Sequence, residues 1–137
     1  MKFKNIDLSA ISHNIITTGR NEAIEFSLND GDSFTLDKGE LFDAINILTS
    51  NEFDDLVGAH NHYEEWREKE NVLYAQAIDN ANINTLYDLT HAAAMRGFYN
   101  GVIDTVTKRI TDSAPYSAWY KARCLYECLT GIDRDLL

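Results

Sequence analysis

Residues 82–129 constrain the fold most. They hold two long helical patterns separated by Pro115, the one proline in the chain. The first runs through Thr90-His91-Ala92-Ala93-Ala94-Met95, Val102-Ile103, Val106 and Ile110. The second runs through Ala118-Trp119-Tyr120, Ala122, Leu125 and Leu129. Apolar residues at helical spacing need a surface to pack on, so the preceding residues should lie against this scaffold. Asn82 or Asn84 suits the N-cap of the first helix. Ser113 suits that of the second, with Pro115 in its first turn and Gly131 at its end. Ala93, Gly97 and Gly101 recur every four residues, leaving a strip that another backbone can approach closely. Asn100-Gly101 is also a turn signal, and a break there is the alternative.

Residues 22–37 predict a hairpin. Ile24, Phe26 and Leu28 alternate with polar or small residues, as do Phe34 and Leu36 on the return. A two-residue loop would throw the two apolar sets onto opposite faces. A three-residue loop, Asn29-Asp30-Gly31, pairs Leu28 with Asp32, Phe26 with Phe34 and Ile24 with Leu36. This register predicts a type I turn with left-handed Gly31 in a G1 bulge, one apolar face and one wet face.

Asp37-Lys38-Gly39-Glu40 reads as a capping box. It opens a helix that buries Leu41, Ala44, Ile45 and Leu48, with Phe42 at the edge. Ser50-Asn51 ends it and caps the next, over residues 52–70. Phe53, Leu56, Val57, His60 and Tyr63 share one side of that helix, and Glu65 with Lys69 has the spacing of an ion pair. Residues 72–79 extend this helix or form a separate turn. Residues 7–19 predict a short helix with Leu8, Ile11, Ile15 and Ile16 on one face, and residues 1–6 an edge strand. The expected fold class is α+β: a small antiparallel hairpin or sheet packed against four to five α-helices, with a helical C-terminal half. At 137 residues without an internal linker, a single acidic domain over 1–137 is expected.

Charge narrows the functional classes. The net charge is −10, and residues 21–70 carry 14 Asp/Glu against 3 Lys/Arg. Phosphate contacts need Lys and Arg, so direct nucleic-acid binding is disfavoured. A partner with a basic surface, such as a nuclease or DNA-binding protein, suits this balance, by DNA mimicry if the acids share a face. The contact residues expected are Asp43, Asp54, Asp55, Glu64, Glu65 and Glu68. Small acidic domains without a recognisable active site are common among phage and mobile-element proteins that block host defence. By that class analogy the expected role is a non-catalytic inhibitor. No run approaches the roughly 20 apolar residues of a membrane span. The N-terminus lacks the apolar core of a signal peptide. Cys124 and Cys128 sit four apart in one helix, a poor geometry for a disulfide. Together these predict a cytoplasmic protein with free thiols and no cofactor.

Two further readings stand beside the first. Arg96, Arg109, Trp119, Tyr120 and Arg123 of the last two helices could gather to hold or sequester a nucleotide signal. His60 and Glu64, four apart, could ligate a metal in a hydrolase, although no signature supplies the remaining ligands. His91 with Cys124 or Ser117 has the residue types of a nucleophile–base pair, yet reads first as core. The aromatics of the last helix, including Tyr116 and Tyr126, cannot all face one core, so they offer a surface for self-association.

Overall fold

The hairpin forms in the expected register. In the computed structural model, which describes residues 2–4, 6 and 23–137, β1 (Ile24–Ser27) pairs antiparallel with β2 (Ser33–Leu36). Ile24 faces Leu36 and Phe26 faces Phe34, and the two phenyl rings stack 5.2 Å apart. Leu28 N–H donates to Asp32 O (2.8 Å) and Gly31 N–H to Leu28 O (3.1 Å). Gly31 takes φ +88°, a value that side chains rarely tolerate. Lys2, Phe3, Lys4 and Ile6 carry no strand, contrary to the edge-strand expectation. The helix expected over 7–19 lies outside the described residues.

Four α-helices follow among the described residues: α1 (Lys38–Leu48), α2 (Asn51–Asp79), α3 (Ile83–Ser113) and α4 (Tyr116–Thr130). A 3₁₀ turn, Arg134–Leu136, closes the chain. The class is α+β, with a helical C-terminal half. The capping box is complete: Asp37 Oδ1 accepts from Glu40 N–H (2.8 Å), and Glu40 Oε1 from Asp37 N–H (3.1 Å). Ser50 Oγ accepts from Phe53 N–H, and Asn82 Oδ1 from Thr85 N–H. Residues 72–79 continue α2, and α3 passes Asn100-Gly101 unbroken. Ser113 does not cap α4. Its hydroxyl donates back to Ile110 O (3.1 Å), and Pro115 takes the N-cap without a side-chain bond. Gly131, at φ +76°, ends α4 as expected.

Contacts divide the chain into two compact units: Met1–Phe3 with Asp55–Thr107, and Lys4–Asp54 with Lys108–Leu137. The second unit holds the larger core. There α1 packs along α4, β1 also meets α4, and β2 meets α1. Leu36, Leu41, Ala44, Leu48, Phe53, Trp119, Ala122, Leu125 and Tyr126 are buried. Ile47 is buried in α1, while Ile45 is only half-buried. Phe53 sets its edge against Trp119 (6.4 Å) and Tyr126 (5.3 Å).

The buried Tyr126 hydroxyl holds the N-terminal segment. It accepts from Lys4 N–H (2.8 Å) and donates to Lys4 O (2.9 Å). Tyr126→Phe keeps the ring and orphans both Lys4 groups. Urea unfolding should therefore show a loss of about 1–2 kcal/mol with an unchanged m-value. An unaltered midpoint would show that these bonds add nothing over water.

In the other unit, α2 and α3 meet through side chains. Trp66 stands edge-on to His91 (5.5 Å), and His62 stacks on Tyr99 (4.9 Å). Arg96 forms an ion pair with Glu70, whose hydrogen bond raises the guanidinium pKa. Lys69 lies over the Trp66 ring (4.4 Å) rather than against Glu65, which lies 3.5 Å from His62 instead.

Candidate partner-binding surface

The six candidate acids separate. Glu64, Glu65 and Glu68 project from one side of α2, and line a recess of about 450 Å³ with Lys2, Asn61, Arg67 and Asn71. Their spacing explains this, since residues three and four apart in a helix share a face. Tyr63, Trp66 and Glu70, toward α3, occupy the opposite side. Arg67 lies 3.6 Å from Glu64, and Glu68 makes no ion pair among the described residues. Asp55 does not join them, because it projects about 140° round the helix from Glu68. Asp43 and Asp54 belong to the other unit, where both are exposed. Asp43 lines a separate cleft of about 330 Å³ with Glu52, Asn46 and Ser50. The geometry therefore offers a three-carboxylate face.

The cationic set is also only partly assembled. Arg123 lies over the rings of Trp119 (5.7 Å) and Tyr120 (5.6 Å), and its Nε is buried without a hydrogen-bond partner. Trp119 is a core side chain, with little ring left to stack a ligand. Arg96 is engaged with Glu70, and Arg109 is exposed on α3. Tyr116 and Tyr120 stay exposed on α4, whereas Trp119 and Tyr126 are consumed by the core.

His60 and Glu64 form no metal centre that the geometry completes. Among the described residues no three His, Cys, Asp or Glu side chains gather closely enough to hold an ion. His60 is buried and stacks on Phe3 (4.5 Å). Asn61 holds Phe3 there: its Oδ1 accepts from Phe3 N–H (2.7 Å), and its Nδ2 donates to Phe3 O (3.2 Å). Burial pushes the imidazole pKa down to about 4, and Nε2 has no partner. Cys124 and Cys128 are free, and burial raises both thiols, Cys128 to about 11. Neither is the activated thiolate that nucleophilic chemistry needs at neutral pH.

One cluster escaped the sequence reading. Glu127 is 1% exposed. It accepts from Asn29 N–H (3.1 Å), Arg134 N–H (3.0 Å) and Arg134 Nη1 (3.2 Å). Arg134 also reaches Asp30 (3.3 Å), whose carboxyl is lowered by the Asp32 N–H bond and then by Arg134. The available signal was a single acid inside the apolar run Cys124-Leu125-Tyr126-Glu127-Cys128-Leu129.

No family model, curated protein or solved structure matches this chain. No helix of the described residues is long and apolar enough to cross a membrane.

Proposed function

We propose that the chain is a non-catalytic binding protein that occupies a basic surface of another protein through Glu64, Glu65 and Glu68. The supporting observation is the shared face of these three glutamates, which border one recess of α2. Asn71 beside them adds a neutral hydrogen-bonding group, and although Lys2 and Arg67 border the same recess, three carboxylates outnumber them and suit Lys and Arg side chains of a partner. A nuclease or DNA-binding protein is the partner class whose surface is most basic. Blocking it would make this chain an inhibitor of the kind that phages and mobile elements direct against host defence. The carboxylates outside this trio are not needed for the contact.

Pull-down from a host lysate at low salt tests the reading. The wild-type chain should retain a basic protein, and raising the salt should release it. Glu64→Gln/Glu65→Gln/Glu68→Gln removes three charges at nearly constant shape and should weaken capture at least about tenfold. Capture of nothing, or capture indifferent to the triple substitution, would refute the proposal.

A further inference from the structure

We propose that the cleft along the seam of α2 and α3, between Trp66 and Asp88, binds a small organic amine with an apolar body. The cleft measures about 690 Å³, and all the residues lining it belong to the unit of Met1–Phe3 with Asp55–Thr107. Helical spacing builds it. On α2, Trp66, Lys69 and Leu73 follow one another at three and four residues, and on α3 Asp88 and Ala92 stand four apart. Ala92 is buried and Trp66 and Leu73 are half-buried, so these three make an apolar floor. The rim is exposed: Glu65, Glu68 and Lys69 stand on the α2 side, Asp88 and His91 on the α3 side. Trp66 meets His91 edge to face at 5.5 Å, which closes one end of the floor.

The rim selects a cation. Three carboxylates, Glu65, Glu68 and Asp88, face one ammonium, Lys69. Glu68 and Asp88 make no ion pair among the described residues. Lys69 joins neither of them: its Nζ lies 4.4 Å from the centroid of the Trp66 ring. The indole therefore already attracts a positive charge in this cleft, and the chain's own ammonium competes for it.

Other ligand classes fit less well. An anion would meet the three carboxylates. A wholly apolar molecule would strip water from Asp88 and give nothing back. A bare metal ion lacks its ligands, since no three His, Cys, Asp or Glu side chains gather closely enough among the described residues. What remains is an ammonium group on an apolar body, with the body on the floor and the charge between Trp66 and Asp88. The volume falls in the range of about 300–1,000 Å³ that small-molecule sites occupy, more than one lysine side chain would fill. The ligand is accordingly a free amine rather than a side chain of the basic partner.

Titration of the full chain with phenethylamine, followed by nuclear magnetic resonance, tests this assignment. The chain has two tryptophans. The indole N–H signal of Trp66 reports on the cleft, and that of Trp119, 3% exposed in the other unit, serves as the reference. The Trp66 signal should move saturably, with a Kd of about 1 mM or tighter, while the Trp119 signal stays in place. Hydrocinnamate, of nearly the same shape but opposite charge, should bind at least about tenfold more weakly. Asp88→Asn should weaken phenethylamine at least about fivefold, and Lys69→Gln should tighten it at least about threefold by removing the competitor for the ring. Both side chains are exposed, so helical circular dichroism should be unchanged in either variant. A Trp66 signal that does not saturate, equal affinity for the two compounds, or two variants that fail to shift affinity in opposite directions would each overturn the inference. Glu65 and Glu68 also border the recess of the acidic face, so the test rests on Asp88 and Lys69, which do not. Capture of a basic protein can therefore fail while amine binding holds, and the reverse.

Discussion

Glu127→Ala is expected to lower stability by about 3–5 kcal/mol, which for a chain of this size moves the melting temperature by about 10–20 °C. The side chain is 1% exposed and its two oxygens take four hydrogen bonds from Asn29 and Arg134. These bonds tie the turn of the hairpin and the last residues of the chain to the end of α4. Alanine would leave a cavity, two backbone N–H groups without their acceptor, and a guanidinium without its buried carboxylate partner. Glu127→Gln should cost less, because one amide oxygen still accepts, but its amino group would point at donors. Thermal unfolding reads the size of the effect, and hydrogen exchange reads its location. Protection should fall first at the Asn29 and Arg134 amides. If both stay protected while the protein melts at the wild-type temperature, the cluster is not a clamp.

The second large effect is a dependence on acid. The His60 imidazole has a folded pKa near 4, below its ordinary value of about 6.5, because burial penalises its charged form. Protons therefore bind the unfolded chain more tightly at this site. The stability that neutral His60 contributes is fully present above pH 6.5. It drains as pH falls from 6.5 to 4, and amounts to about 3 kcal/mol across that window. Carboxylates titrate nearby, so the test compares two proteins. His60→Phe keeps a ring against Phe3 and cannot be protonated. The difference in unfolding free energy between wild type and His60→Phe should shift by about 3 kcal/mol in favour of the variant between pH 7 and pH 4. Parallel pH profiles would mean that His60 is solvated and titrates normally.

The hairpin was legible because it depends on local spacing, whereas the six acids were grouped by charge alone, which left open which of them share a face. Alternation of apolar residues leaves only one loop length that puts Phe26 against Phe34, and backbone geometry then requires glycine at position 31. Glu64, Glu65 and Glu68 share a face of α2 because helical pitch alone puts them there. The capping box at Asp37 and Glu40 was readable in the same way as the hairpin. The end of α3 was not. Ser113 could have capped α4, but Pro115 was already at the N-cap, and a serine hydroxyl can equally bond back to its own helix. Asp43, Asp54 and Asp55 were grouped with the glutamates by charge density along the chain, which carries no information about direction in space.

By itself, then, the sequence determined the class of fold, the register of the hairpin and the capping box that opens α1. Each follows from interactions within a few residues. Only the tertiary structure decided that Glu127 is a buried anchor and His60 a neutral core side chain. It also decided that Trp119 belongs to the interior while Tyr87 and Phe98 face outward. Burial is set by which distant segments meet, and Asn29, Arg134 and Phe3 reach their partners across 98, 7 and 58 residues of chain. Periodicity can say that a helix has two sides, but only the packed neighbours decide which of them is left for another molecule.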